Sequence, residues 1–160
     1  DAMTGSFFRM DIQGRGGQKL EETWAEGPQT YLGLSVADYP NLFMITGPGS
    51  PSVLSNMPVS IEQHVEWISD LVEYTREHDI DVVEVDADAQ VAWGQHVNEL
   101  ADKTFFPMAD SWYMGANIPG KPRVFMPYVG GVGTYREKCD EIAAAGYEGF
   151  QLSPAKAKAI

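Results

Sequence analysis

The chain has 160 residues, 44% hydrophobic and 21% charged, which excludes an intrinsically disordered protein and suffices for one domain with its own core. The formal net charge of -12 makes nucleic acid and anionic membrane surfaces poor partners, because both require clustered lysine and arginine. No apolar run approaches the ~20 residues of a membrane-spanning helix, no signal peptide is visible, and Cys139 has no partner for an internal disulfide, so we expect a cytoplasmic location.

The chain starts with Asp1-Ala2-Met3-Thr4-Gly5, without an initiator methionine, and leads almost at once into a predicted strand. This start indicates a piece cut from a longer polypeptide, and trimming of an otherwise complete domain is the alternative. Apolar side chains at every second position predict a strand over residues 6–12, and the glycines at 14, 16 and 17 predict a turn after it.

Two more strands and a short helix are predicted before residue 50. The helix covers residues 18–25, carries Leu20 and Trp24, and ends at Gly27-Pro28. Residues 30–36 and 42–46 are predicted as strands, and the second of these is short and continuously apolar, as a buried strand is.

Three longer helices are predicted in the rest of the chain. The first covers about residues 58–78 and begins either with Pro58 in its first turn or at a capping box of Ser60 and Gln63. Its buried stripe is predicted to consist of Ile61, Val65, Ile68 and Val72, with Leu71 beside them. The second covers about residues 87–104, with Asp86 as its cap and Ala89, Trp93, Val97, Leu100 and Phe105 on its buried side.

The third helix is indicated by a capping box at Thr134 and Glu137 and ends at Gly146, with Cys139, Ile142 and Ala143 on its buried face. Residues 124–128 before it and 149–152 after it are predicted as strands. The acid-rich residues 79–88 are predicted to connect two halves, 1–80 and 81–152, and residues 153–160 to form a loose tail. The pattern as a whole predicts an α/β protein.

The most informative stretch covers residues 46–67, where a strand candidate leads through a loop rich in Gly, Pro, Ser and Asn into a helix. No charged residue occurs from Asn41 to Ile61. Bare backbone and the positive end of a helix meet at such a junction, and this is how α/β proteins hold an electron-rich group of a ligand. The loop has about 13 residues, against 2–6 in most such connections, which favours a functional loop over a simple connection.

Other kinds of site have weaker support in the sequence. No G-x-G-x-x-G fingerprint is present, and residues 14–17 fit a hairpin turn better. The histidines at 64, 78 and 96 are scattered, so no metal site is predicted. Cys139 falls in a predicted buried stripe, which indicates an inert core thiol. A hydrolase that uses Ser52 as nucleophile stays an alternative, although no G-x-S-x-G elbow surrounds it.

A second loop, over residues 111–123, is long and rich in aromatic residues, Gly and Pro. Trp112 and Tyr113 offer stacking surfaces with polar tips, while Lys121 and Arg123 are either phosphate ligands or ordinary exposed charges. Such loops often act as lids. The alternative is a packed Ω-loop with Trp112 in a small satellite core.

Five stretches of the sequence are long and specific enough to compare with known families. They are TYLGLS at 30–35, PNLFMITGPGSPSVLSNM at 40–57, IEQHVEW at 61–67, SWYMGANIPGKPRVFMPYVGG at 111–131 and GYEGFQL at 146–152. Together they resemble the C-terminal part of Baeyer–Villiger monooxygenases of the phenylacetone and cyclohexanone monooxygenase type. The resemblance covers residues 1 to about 152.

This resemblance implies that residues 1–152 are the last part of a discontinuous, Rossmann-like FAD-binding domain, entered at residues 1–5. In the family, NADPH reduces FAD, O2 adds to the flavin as a C4a-peroxide, and the peroxide inserts an oxygen atom into a ketone to give an ester or lactone. The N-terminal FAD and NADP domains, both G-x-G-x-x-G fingerprints, the family signature and the arginine that stabilises the peroxide are absent from this sequence. The chain alone is therefore expected to be inactive, to bind neither cofactor tightly and to be prone to self-association.

The resemblance also implies roles for individual residues. Met57 and Asn56 are expected at the flavin, with their backbone amides facing its pyrimidine edge, and Trp112 is expected on a mobile loop that covers NADP and substrate. The expected lining of the substrate pocket is Ser52, Val53, Leu54, Ser55 and Met57. No catalytic residue is expected within this segment. The alternative from another class is a non-catalytic, separated domain that binds a partner or a small apolar ligand.

Overall fold

The computed structural model describes residues 3–116 and 118–154. In these residues it contains four α-helices, α1 (Leu20–Thr23), α2 (Met57–Glu77), α3 (Ala87–Asp102) and α4 (Val132–Ala144), and two β-strands, β1 (Ile80–Val85) and β2 (Phe150–Pro154). Short 3-10 helices interrupt the irregular segments at Phe7–Arg9, Arg15–Gly17, Ser52–Leu54, Phe106–Met108 and Trp112–Met114. The mixture of helix and strand agrees with the predicted α/β class. No helix among the described residues combines the length and apolar character that crossing a bilayer requires.

The long helices begin and end close to the predicted positions. Helix α2 starts after Asn56, with Pro58 in its first turn. The Asp86 carboxylate caps α3 by accepting hydrogen bonds from the amides of Asp88 at 2.8 Å and Ala89 at 3.4 Å. Helix α4 begins at Val132, two residues before the predicted capping box at Thr134, so that prediction of its start was wrong.

The two strands pair antiparallel, with Val83 opposite Leu152 and Val85 opposite Phe150. Residues 80–85 are therefore a strand and not the connection between two halves predicted from their acidic residues. Alternation explains the difference, because Val83 and Val85 are buried while the acids point away from the core. Strand β2 also takes in Ser153 and Pro154, which were predicted as tail. Residues 155–160 of that predicted tail lie outside the described residues.

Four predicted strands are absent from the described structure. Residues 6–12 instead form a 3-10 turn whose Phe7 and Phe8 rings pack edge-on against Trp24. Residues 30–36 turn sharply at Leu32 and Gly33, both with positive φ. Residues 42–46 and 124–128 are irregular, and their backbone hydrogen bonds run to loops rather than to a neighbouring strand. An apolar, β-like pattern in the sequence was not enough to predict these strands, because a strand also needs a neighbouring strand to pair with.

Helix α2 buries a different face from the predicted one. Its buried residues are Ser60, Gln63, His64, Trp67 and Leu71, whereas Ile61 and Val65 are 38% and 47% exposed. Trp67 explains this orientation, because its buried indole N–H donates to the Cys139 carbonyl of α4 at 2.9 Å. Ile61 and Val65, one helical turn apart, consequently form a small apolar surface that the described chain leaves exposed.

The other helices bury, wholly or in part, all but one of the side chains predicted for their buried faces. Trp93 and Val97 of α3 and Cys139 of α4 are buried, while Phe105 is 86% exposed because α3 ends before it. These helices share one core with Trp67, Val85 and the neighbouring aromatic residues. A smaller core beside it consists of Leu20, Trp24, Val36, Tyr39 and Met44.

Candidate functional site

The loop of residues 47–57 is fixed through its backbone carbonyls. Four consecutive carbonyls accept hydrogen bonds: Gly47 from Ser50 Oγ at 2.8 Å, Pro48 from Thr30 Oγ1 at 2.6 Å, Gly49 from Trp93 Nε1 at 3.1 Å and Ser50 from the Tyr128 amide at 2.7 Å. The amide of Gly49 in turn donates to the Met126 carbonyl at 2.6 Å. The first half of the loop thus has one backbone path, held from three other parts of the chain.

The second half of the loop presents donors instead. Within residues 3–116 and 118–154, the amides of Asn56, Met57 and Val59 have no hydrogen-bond acceptor, and the Asn56 side chain does not cap the helix. These groups lie at the start of a 21-residue helix, in a stretch without a charged residue from Asn41 to Ile61. Free amides at the positive end of a helix can stabilise negative charge on a bound group.

The predicted pocket residues lie together on the 3-10 turn Ser52–Leu54 and the start of α2. Ser52 is nearly inaccessible, whereas Val53, Leu54, Ser55 and Met57 are half-buried and Asn56 is exposed. The hydroxyls of Ser55 and Ser60 are hydrogen-bonded to each other at 2.5 Å, and the Ser55 hydroxyl also donates to the Ser52 carbonyl at 3.1 Å. No hydrogen bond joins the Ser52 hydroxyl to a histidine or carboxylate in the described part of the chain, so a hydrolytic role for Ser52 gains no support.

His64 lies behind this loop and was not recognised as part of the site from the sequence. Its fully buried ring accepts a hydrogen bond from the Thr46 amide at Nδ1, at 3.0 Å, and contacts the Tyr135 ring edge-on. Among the described residues Nε2 has no partner. Burial lowers the pKa of His64 to about 4, so the ring is neutral at pH 7. The signal available in the sequence was the spacing of His64 and Trp67 on one helix face.

The 111–123 loop carries Trp112 at the surface rather than in a satellite core. The Trp112 ring is 36% exposed and rests on Tyr113, with 4.3 Å between ring centroids. Below it, the amides of Val124 and Met126 donate to the carbonyls of Met114 and Tyr113. Arg123 pairs with Asp110 at 2.5 Å, as an ordinary surface charge does. Asn117 lies outside the described residues.

Two clefts in the described part of the chain are lined by residues other than 52–57. One, of about 270 Å³, is bounded by residues 26–30, by Pro48 and Gly49, by α3 and by residues 124–126. The other, of about 580 Å³, lies between α3, α4 and β2. The described residues contain no group of three or more His, Cys, Asp or Glu side chains placed to hold a metal ion. Burial raises the pKa of Cys139 to about 12, as suits a core thiol.

Comparison with curated proteins relates the chain to ketone-oxidising flavoenzymes. It is 43% identical over 152 residues to cyclohexanone 1,2-monooxygenase of an Acinetobacter species, covering 95% of this chain and 28% of that protein. It is 45% identical over 154 residues to the methyl acetate-forming acetone monooxygenase of a Gordonia species, covering 96% of this chain and 29% of that protein. No family model matches the chain.

Solved structures agree with the sequence relatives. The chain superimposes on cyclohexanone monooxygenase from Rhodococcus sp. Phi1 bound to NADP+ with a TM-score of 0.92 and 40% identity, covering 96% of this chain and 28% of that one. A complex of OTEMO with FAD and NADP matches with a TM-score of 0.87 and 31% identity, over 94% of this chain and 27% of that one. The chain thus spans little more than a quarter of the length of its relatives, and over almost all of its own length it is homologous to part of proteins named as Baeyer–Villiger monooxygenases, such as that of Pseudooceanicola batsensis, 45% identical over 147 residues.

Proposed function

We propose that this chain is the C-terminal part of the FAD-binding domain of a Baeyer–Villiger monooxygenase, which uses NADPH and O2 to convert a ketone into an ester or lactone. The observation that carries the proposal is the junction at residues 47–57. Its carbonyls are bonded to the protein, its last amides are free, and no charged side chain competes with a bound group. Sequence relatives that oxidise cyclohexanone and acetone support the same activity.

FAD fits this junction because the reduced isoalloxazine carries negative charge at its pyrimidine edge. The amides of Asn56 and Met57, together with the positive end of α2, are suited to stabilise that charge. When bound, FAD reduced by NADPH supplies the activation of O2. The chain's own residues position the flavin and shape the space beside it, and none of them is assigned an acid–base or nucleophilic step.

The ketone is proposed to lie against the 3-10 turn, with Val53, Leu54 and Ser55 on one side and Met57 nearest the flavin. Ser52 is only 2% exposed in the described chain, and its place in the pocket lining stays a prediction. The two clefts described above are lined by other residues, and we assign the opposite wall of the pocket to the part of the enzyme beyond this chain. Trp112 is proposed to close over NADP and substrate from the other loop.

The apolar surface of α2 supports the existence of that further part. Ile61 and Val65, which lie on one face of α2 within about two turns of the proposed flavin-binding residues, are 38% and 47% exposed. We assign this surface to contact with the preceding FAD and NADP domains. Without them the same surface favours self-association of the chain.

The proposal is tested with the full-length protein, purified with FAD. Ketone-dependent NADPH oxidation with formation of one ester or lactone per NADPH is expected, and short linear and cyclic ketones are the first substrates to try. A full-length flavoprotein that consumes NADPH at the same rate with and without ketones, and forms no ester, would contradict the proposal and favour a non-catalytic or different role.

A further inference from the structure

Two residues far apart in the sequence hold the loop of residues 47–57 at neighbouring carbonyls. The Thr30 hydroxyl donates to Pro48 O at 2.6 Å, and the Trp93 indole N–H donates to Gly49 O at 3.1 Å. Both side chains are buried, with 5% and 6% exposure. Both residues lie outside the segment of residues 52–57 that is proposed to bind the flavin and the ketone, and neither was recognised as functional from the sequence.

Gly49 lies tightly between these two donors. Its φ of +85° is a conformation that glycine adopts without strain. A Cβ added at this position would lie 3.0 Å from Thr30 Oγ1 and 3.2 Å from Trp93 Nε1. The two hydrogen bonds and the close approach together fix the rotation of both peptide planes next to Gly49.

The fixed peptides lead directly into the residues that the proposed function uses. Two residues, Ser50 and Pro51, separate Gly49 from the 3-10 turn Ser52–Leu54, and two more separate that turn from α2. Both residues before the turn are restricted, because Pro51 has a fixed φ and the Ser50 carbonyl accepts from the Tyr128 amide. A rotation at Gly49 would therefore be transmitted to Leu54 and Met57.

We propose that Thr30 and Trp93 are positioning residues, which set the shape of the ketone pocket and the aim of the α2 amides through the Pro48 and Gly49 carbonyls. This inference rests on the proposed function for its effect on catalysis, but the anchoring itself can be measured separately. A purely structural role in the core is the alternative.

Trp24 provides a matched control for Trp93. It is also buried, at 3% exposure, and its Nε1 also donates to a backbone carbonyl at 3.1 Å, but the acceptor is Gln29, outside the loop. Trp24→Phe and Trp93→Phe each remove one buried N–H and keep an aromatic ring. Thr30→Val removes the second anchor at nearly constant volume, and Thr30→Ser restores the hydroxyl.

The experiment uses the full-length flavoprotein and measures amide hydrogen exchange of peptides within residues 44–57, ester formed per NADPH, and KM and kcat for a small and a bulky ketone. Trp93→Phe and Thr30→Val should speed exchange in this segment and lower kcat/KM about five- to tenfold, with a changed ketone preference and more NADPH lost to peroxide. Thr30→Ser should recover most of the parental values, and Trp24→Phe should show neither change.

Unchanged exchange in residues 44–57 in Trp93→Phe and Thr30→Val, or equal changes in Trp24→Phe, would overturn the inference. If Trp93→Phe does not yield folded protein, Thr30→Val against Thr30→Ser decides alone. If the parent enzyme forms no ester but Trp93→Phe and Thr30→Val still exchange faster than the parent in residues 44–57, the anchoring is supported and the proposed function is contradicted. The two failures are therefore distinguishable.

Discussion

The buried ring of His64 accepts a hydrogen bond at Nδ1 from the backbone amide of Thr46, at 3.0 Å. Thr46 has a φ of +54°, which is uncommon for a β-branched residue, and it stands at the entrance of the loop of residues 47–57. The second helical turn of α2 therefore fixes the start of the loop that leads into its own first turn. Any change in the charge of His64 must act on this loop.

His64 makes the stability of the protein dependent on pH in the acidic range. Its pKa is about 4 in the folded state and about 6.5 in the unfolded state, so between these values only the unfolded chain takes up the proton. The free energy of unfolding is therefore not reduced by His64 above pH 6.5, and protonation of His64 in the unfolded chain should lower it by up to about 3 kcal/mol as the pH drops to 4. Urea unfolding of the full-length protein at a series of pH values measures this slope.

His64→Asn retains an acceptor near the Nδ1 position but does not titrate. Its stability should be lower at pH 7, because the smaller side chain leaves a cavity, and the slope between pH 6.5 and 4 should be smaller than in the parent. Equal slopes in the parent and in His64→Asn would show that His64 is not the group responsible.

The pocket assignment predicts altered substrate choice in Leu54→Ala and Met57→Gly. Enlarging the space beside the proposed ketone should shift the ratio of kcat/KM for bulky over small ketones by about tenfold, with little change in flavin content. Val91→Ala, an exposed change on α3, is the control. A parental ketone profile in both pocket variants would remove Leu54 and Met57 from the substrate site.

The lid assignment predicts that Trp112→Ala impairs the use of NADPH. Loss of the indole should raise KM for NADPH about tenfold and increase the peroxide released per NADPH, because the exposed ring no longer covers the site. Phe105→Ala removes an even more exposed aromatic ring outside the 111–123 loop and should leave both quantities unchanged. Identical kinetics in Trp112→Ala and the parent would exclude the lid role.

Cys139 should be unreactive in the folded protein. It is fully buried and its pKa is raised to about 12 by burial, so almost no thiolate is present at pH 8. Alkylation by iodoacetamide, followed by mass spectrometry of the Cys139 peptide, should label it only after unfolding in guanidinium chloride. Rapid labelling under native conditions would contradict its place in the core.

Helices were the part of this fold that the sequence predicted well. Periodic apolar residues, Pro58, the Asp86 cap and Gly146 are local signals, and they gave α2, α3 and the end of α4 within a few residues. The predictions of strands over residues 42–46 and 124–128 were wrong because strand pairing depends on residues far away in the sequence. The buried face of α2 was predicted wrongly because it depends on what the helix packs against: within the described chain Trp67 and Leu71 enter the core and Ile61 and Val65 do not.

The candidate site was likewise predicted where the signal is local and missed where it depends on distant residues. Composition identified the loop of residues 47–57 and the start of α2, since both lie within one uncharged stretch. Thr30, His64 and Trp93 were missed, because the residues they hold are 18 to 44 positions away along the chain. The assignment of Asn56 and Met57 to the flavin stays a prediction.

A crystal structure of the full-length protein with FAD tests that prediction most directly. In that structure the backbone amide of Met57 or Asn56 should lie within hydrogen-bond distance, about 2.7–3.2 Å, of an oxygen or nitrogen at the pyrimidine edge of the isoalloxazine. A structure in which these amides donate to protein carbonyls, with the loop of residues 47–57 distant from the flavin ring, would contradict it.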